Sequence, residues 1–234
     1  NFRGATAGNG TALTWAIGSA TASAPDMTLV EPSLVIDKSI TPATGQAATI
    51  FDVVIDVRHT PESNSDAFDL VLTDVLPAGL TYCDVNESVR VTGGVTADSI
   101  SHVAGTISAS YSAIADGTFS EISFQVEADP DVIAGSMITN TAGVSWTTLP
   151  GDVTTPLSTD PVSTERTGDT SDPGLTENDL RASDSAIVNL DSPIVTKTLI
   201  GTNQPHTAGS DVAIGEIATY EVSFNVPGGT MPSA

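Results

Sequence analysis

The stretch Glu121-Ile-Ser-Phe-Gln-Val-Glu127 alternates polar and apolar side chains without a break. Successive side chains of a strand point to opposite faces, so Ile122, Phe124 and Val126 share a dry face and the others a wet one. The same reading extends outward from it. Strands are predicted at Leu34–Ile40, Thr49–Val57, Phe68–Val75, Ser88–Val91, Gly105–Ile114, Phe119–Glu127, Met137–Trp146 and Ser185–Leu190. Gly, Pro, Asn and Asp clusters separate these runs, and no long helical period interrupts them. Many short strands with turn signals between them specify an all-β antiparallel sandwich.

The chain also repeats itself. Asn9-Gly-Thr-Ala-Leu-Thr-Trp15 matches Asn140-Thr-Ala-Gly-Val-Ser-Trp146, and Ser33-Leu-Val-Ile-Asp-Lys-Ser-Ile40 matches Ser192-Pro-Ile-Val-Thr-Lys-Thr-Leu199. Gly45-Gln-Ala-Ala-Thr and Gly215-Glu-Ile-Ala-Thr each precede an apolar strand. The matched pieces keep their order, which is the mark of tandem modules. The expected organisation is the tail of one repeat (1–30), a complete repeat (31–190) and the start of another (191–234), cut at both ends from a longer chain. An acidic insertion, 147–184, has no counterpart after Trp15.

Composition narrows the function. Acidic residues outnumber basic ones 29 to 7, for a net charge of -22. Such a chain cannot replace the counterions of a nucleic acid. It suits a soluble polyanion that holds divalent cations. No run approaches the about 20 apolar residues of a membrane span. Cys83 is the single cysteine, so no disulfide forms within the chain. His59, His102 and His206 are dispersed, and no nucleophile elbow, phosphate loop or paired-histidine helix is present. Asn9-Gly-Thr and Asn86-Glu-Ser fit the glycosylation pattern, which is common by chance.

Ile36-Asp-Lys-Ser39, Leu72-Thr-Asp-Val-Leu-Pro-Ala-Gly-Leu80 and Ile138-Thr-Asn-Thr-Ala142 together resemble the conserved repeats found in tandem in large bacterial and archaeal surface proteins. They are also similar to the backbone domains of Gram-positive pilins. Glu165-Arg-Thr-Gly and Ala182-Ser-Asp-Ser-Ala resemble acidic loops of tandem adhesin repeats. The resemblance implies immunoglobulin-like sandwich repeats at the cell surface or outside the cell. It implies a structural repeat of a fibre, surface layer or stalk, not an enzyme. The alternative is a spacer repeat of a large adhesin whose binding tip lies elsewhere.

One constellation carries chemistry. Lys38 and Lys197 are the only lysines, and the repeat makes them equivalent. Strand parity puts Lys38 with Leu34, Ile36 and Ile40, and Asp74 with Phe68, Leu70, Leu72 and Leu76. It puts Asn140 with Ile138, Ala142, Val144 and Trp146. Three polar groups on apolar faces are costly unless they meet. A desolvated lysine becomes a neutral nucleophile, and a buried carboxyl keeps its proton. Lys38 would attack the Asn140 amide with Asp74 shuttling protons, giving an isopeptide crosslink and ammonia. The pilin likeness implies the same roles. Unreacted, the trio is a buried ion pair completed by Asn140, and the sequence leaves both open.

Two further expectations concern ligands and neighbours. Glu165, Asp169, Asp172, Asp179 and Asp184 supply hard oxygens for calcium, or else form a solvated acidic loop. Residues 1–30 would carry a closing strand with Asn9, Leu13 and Trp15 on one face, and residues 191–234 opening strands with Val195, Lys197 and Leu199 on one face. Either neighbouring copies would complete both by strand exchange, with Lys197 facing a neighbour's Asn9, or covalently continuous repeats of the same protein would supply the missing strands.

Overall fold

A computed structural model describes residues 10–15, 18–23, 28–83, 89–151, 180–207 and 209–231. The described residues form fifteen strands: β1 (Gly10–Trp15), β2 (Gly18–Ser23), β3 (Leu34–Thr41), β4 (Thr44–Gly45), β5 (Ile50–His59), β6 (Ala67–Val75), β7 (Leu80–Tyr82), β8 (Arg90–Gly94), β9 (Ser99–Val103), β10 (Thr106–Ile114), β11 (Phe119–Ala128), β12 (Met137–Thr147), β13 (Arg181–Leu190), β14 (Ile194–Thr202) and β15 (Ala218–Asn225). No helix among them is long and apolar enough to cross a membrane.

Two sheets make the sandwich. The first runs β4-β13-β12-β6-β10-β9, and the second β3-β5-β11-β7, with β8 also paired to β11. All pairings are antiparallel except β4 with β13. The core lies between the sheets because each strand turns its apolar set inward. Phe51, Val53, Ile55 and Val57 of β5, with Ile122, Phe124 and Val126 of β11, face Leu70, Leu72, Ile107, Tyr111, Val144 and Trp146 from the other sheet. Each such side chain contributes about 1.5–3 kcal/mol when fully buried. Cys83 is buried as a free thiol. Gly94 ends β8 at φ 74°, and a side chain there would meet the Phe119 carbonyl oxygen at 2.0 Å, so only glycine fits.

Three local departures from simple alternation matter. Asp69 has φ 48°, and the β12–β6 register shifts between Ser145 and Thr147. The kink breaks the alternation, so Ala67 is buried and Phe68 is only half-buried, against the expectation of one continuous face. The expected insertion ends early, because β13 begins at Arg181. Ala182-Ser-Asp-Ser-Ala186 is therefore strand, not acidic loop, and all five of its residues are paired along β12. The short strands β4, β7 and β9 carry too little apolar periodicity to be foreseen.

Two hairpins flank the sandwich. β1 pairs with β2, linked by two residues between Trp15 and Gly18. β12 and β13 are paired in the equivalent way, joined instead by a long connection. Aligning Trp15 with Trp146 also aligns Ala20-Thr-Ala-Ser-Ala24 with Ala182-Ser-Asp-Ser-Ala186. β14 pairs with β15 as β3 pairs with β5: Lys197 opposes Val222, and Lys38 opposes Ile55. Beyond β15 the chain returns to the sandwich, where Ala134 N–H donates to the Thr230 carbonyl at 2.9 Å.

Candidate functional site

The three expected polar residues converge. β3 holds Lys38 between Ile36 and Ile40, β6 holds Asp74 two places after Leu72, and β12 holds Asn140 between Ile138 and Ala142. Their relative exposures are 5%, 0% and 0%, so water cannot solvate them. Lys38 comes from one sheet, and Asp74 and Asn140 from the other. Lys38 Nζ donates to Asp74 Oδ2 in an ion pair closed to solvent. Asn140 Nδ2 donates to the same oxygen at 3.4 Å. Asp74 Oδ1 and Asn140 Oδ1 are left as buried acceptors without a donor.

Burial sets the electrostatics. It lowers the Lys38 pKa, against the opposing pull of Asp74 and, more weakly, Asp184. It raises the Asp74 pKa, against Lys38 and the Asn140 hydrogen bond. Both shifts favour the neutral amine and the neutral acid over the ion pair.

A fourth residue belongs to the site. The Lys38 backbone N–H points away from β5 and donates to Asp184 Oδ2 at 2.7 Å. Asp74, Ala142 and Asp184 are neighbours in one row across the sheet. Two carboxylates thus bracket the lysine, one at its ammonium and one at its amide. Sequence reasoning placed Asp184 in an acidic loop as a calcium ligand, and the structure places it in a strand with one oxygen already engaged. Its matching alternation with Ala182, Ala186 and Val188 was the available signal.

Lys197 stays apart from this cluster. Lys197 is exposed, with Nζ 4.1 Å from the centre of the Tyr220 ring. Asn9, Glu165, Asp169, Asp172 and Asp179 lie outside the described residues. Among the described residues no group of three or more His, Cys, Asp or Glu could hold a metal ion.

No family model matches the chain. No curated protein matches it either. Solved structures do. The chain is similar to a 35 kDa C-terminal fragment of the major pilin of Streptococcus agalactiae, at 13% identity, over 72% of this chain and 58% of that one, with a TM-score of 0.42. It is similar to the major pilin subunit of Bacillus cereus, at 16% identity, over 84% and 56%, with a TM-score of 0.43. It is also similar to the N-terminal domain of a Streptococcus gordonii adhesin, at 12% identity, over 74% and 35%, with a TM-score of 0.41. The chain spans less than two thirds of the length of each.

Proposed function

We propose that this chain is a tension-bearing structural repeat of an extracellular fibre, surface layer or stalk protein, locked by an isopeptide bond between Lys38 and Asn140. The observation that carries this reading is the sealed trio, in which the lysine and the amide share one carboxyl oxygen. A structural ion pair alone would leave two acceptors orphaned. One proton on Asp74 Oδ1, given to the amide oxygen, would serve both and polarise the amide carbon.

The reaction balances within the trio. Neutral Lys38 Nζ attacks Asn140 Cγ, and the Nζ–Cγ bond forms. The Cγ–Nδ2 bond breaks, and Nδ2 leaves as ammonia with a proton relayed by Asp74 from the lysine. No oxidant or external co-reactant is needed. The bond would tie β3 to β12, so tension along the module would bypass residues 39–139. The test is intact mass: the chain should be one ammonia lighter than its sequence, and Asp74→Ala should restore the full mass. Full mass in well-folded wild-type protein would leave only the ion pair.

Assembly follows from the hairpins. Val195, Tyr220, Val222 and Phe224 are exposed on β14–β15, whereas Ile36, Val53, Ile55 and Val57 are buried at the matching places of β3–β5. In the sandwich those places are covered by the sheet that contains β12 and β13. A β1–β2 hairpin of a neighbouring copy is our reading of what covers β14–β15, by the strand-exchange logic of open edges. A structure of the assembled form decides it. Coverage by further repeats of the same polypeptide would refute exchange.

A further inference from the structure

The turn after β15 reaches the base of the sandwich at two places. Gly228 N–H donates to Gln46 Oε1 at 2.9 Å, and the Gly228 carbonyl accepts from Ala47 N–H at 3.4 Å. Two residues on, Thr230 N–H donates to the Val132 carbonyl at 2.8 Å, and Ala134 N–H donates to the Thr230 carbonyl at 2.9 Å. These two bonds make a parallel β-bridge between Thr230 and Ile133. Thr230 Oγ1 adds a bond to the Asp131 carbonyl at 2.9 Å. Gln46 and Ala47 belong to the turn before β5, and Asp131–Ala134 to the connection between β11 and β12. The chain itself supplies a third tie just before β14. There Asp191 N–H donates to the Gly45 carbonyl at 2.7 Å, and Gly135 N–H to the Asp191 carbonyl at 3.0 Å.

The side chains of the turn suit this contact. Gly229 has φ 117°, and a Cβ there would meet the Val132 carbonyl oxygen at 2.5 Å. The atom that forbids a side chain belongs to the sandwich, not to the hairpin, so glycine here lets one backbone approach another. Pro227 is the only buried residue among those described from 191 to 231, and its burial coincides with the contact. The turn after β5 stands at the matching place of the repeat and has no glycine, reading Thr60-Pro-Glu-Ser-Asn64. It closes on its own unit instead. Thr60 N–H donates to the Ser33 carbonyl, and Asn64 N–H to the Glu31 carbonyl.

We propose that Gly228-Gly229-Thr230 is a clasp that fixes the β14–β15 hairpin on the base of the sandwich, so that the two stand as one stiff body. Units joined by a linker alone move relative to each other. Attachment at three separate places, two turns of the sandwich and the chain itself, removes that freedom. The receiving surface bonds through main-chain groups and the Gln46 side chain. The partner it fits is therefore a glycine-bearing turn that can bring its own main chain within hydrogen-bond reach. In an extended fibre such a joint resists bending where one unit meets the next. That consequence rests on the structural role proposed above. The clasp itself depends neither on the crosslink nor on strand exchange.

Nitrogen-15 relaxation and amide hydrogen exchange on the full chain test this. In wild type the β14–β15 amides should share the rotational correlation time of the sandwich, and the Thr230 and Ala134 amides should be protected. Gly229→Val should speed exchange at both amides at least about tenfold, the effect of losing one or two backbone hydrogen bonds. It should also let the hairpin tumble faster than the sandwich. Gln46→Ala, which leaves the hairpin's own residues untouched, should move the same readouts the same way by less, and it decides the matter if Gly229→Val melts the hairpin. Gly201→Ala adds a methyl to the hairpin with nothing within 4 Å, and should change neither readout. A wild-type hairpin that tumbles independently overturns the clasp, as does unchanged exchange at Thr230 and Ala134 in both Gly229→Val and Gln46→Ala. A stiff joint in a chain of full intact mass would keep the clasp and discard the crosslink.

Discussion

Lys38 and Asp74 meet across the core from opposite sheets, Nζ to Oδ2, with neither side chain reachable by solvent. The pair joins the first strand of the sandwich to one near its centre. Several measurable properties depend on it.

Removing one partner strands the other. In an Asn140→Ala background, where no bond can close, Lys38→Met should cost about 3–5 kcal/mol, because Asp74 is left buried without its cation. Lys38→Met combined with Asp74→Leu should recover most of that loss. Chemical denaturation of the three proteins checks both statements.

The same background should show a characteristic pH dependence. Burial raises the Asp74 pKa above its ordinary 3.8, so the fold holds a proton that the unfolded chain releases. Stability therefore falls as pH climbs from that value through the folded-state value. Burial lowers the Lys38 pKa below 10.5, so the unfolded chain binds the extra proton. Stability then rises between the folded-state value and 10.5. If the wild type closes the proposed crosslink, its lysine is an amide and the alkaline rise should be lost. Denaturation midpoints across the pH range provide the comparison.

Asp184→Ala should leave the Lys38 amide without its acceptor at the outer edge of β3. A cost of about 1–3 kcal/mol is expected for an orphaned donor. Hydrogen exchange should quicken at the Lys38 amide more than at Ile55 within the sheet. Equal exchange in variant and wild type would show that Asp184 does not hold this edge.

If the carboxylates of the 147–184 segment hold calcium, a chelator should lower the melting temperature or open that segment to protease. Indifference of both would make the segment a solvated acidic connection.

Gly94→Ala should destabilise the sandwich by about 1–3 kcal/mol, since the new methyl must displace the Phe119 carbonyl at a left-handed position. Thermal melting against wild type measures it.

Much of this molecule was legible as sequence because side-chain direction in a strand is a local property. Alternation placed Ile122, Phe124 and Val126 inside, and the same parity put Lys38, Asp74 and Asn140 on buried faces before any partner was known. The repeat made Lys197 the counterpart of Lys38, and only the structure shows one buried and the other exposed. Partnership is not local. That Lys38 crosses to the opposite sheet, and that Asp184 caps its amide, depends on which strands pair and in what register. Asp184 sits among Ser, Asp and Arg residues that read as loop, and it is strand because β12 offers a ladder to it. The Asp69 kink likewise answers to its neighbours on two sides. The outer row Ser183–Gly143–Thr73–Ser108–Ser101 is the clearest case. Its serines, Thr73 and Gly143 are scattered from residue 73 to residue 183, and only the order β13-β12-β6-β10-β9 sets them in one row. Pairing across long separations decides such surfaces, and no short-range pattern in the chain encodes it.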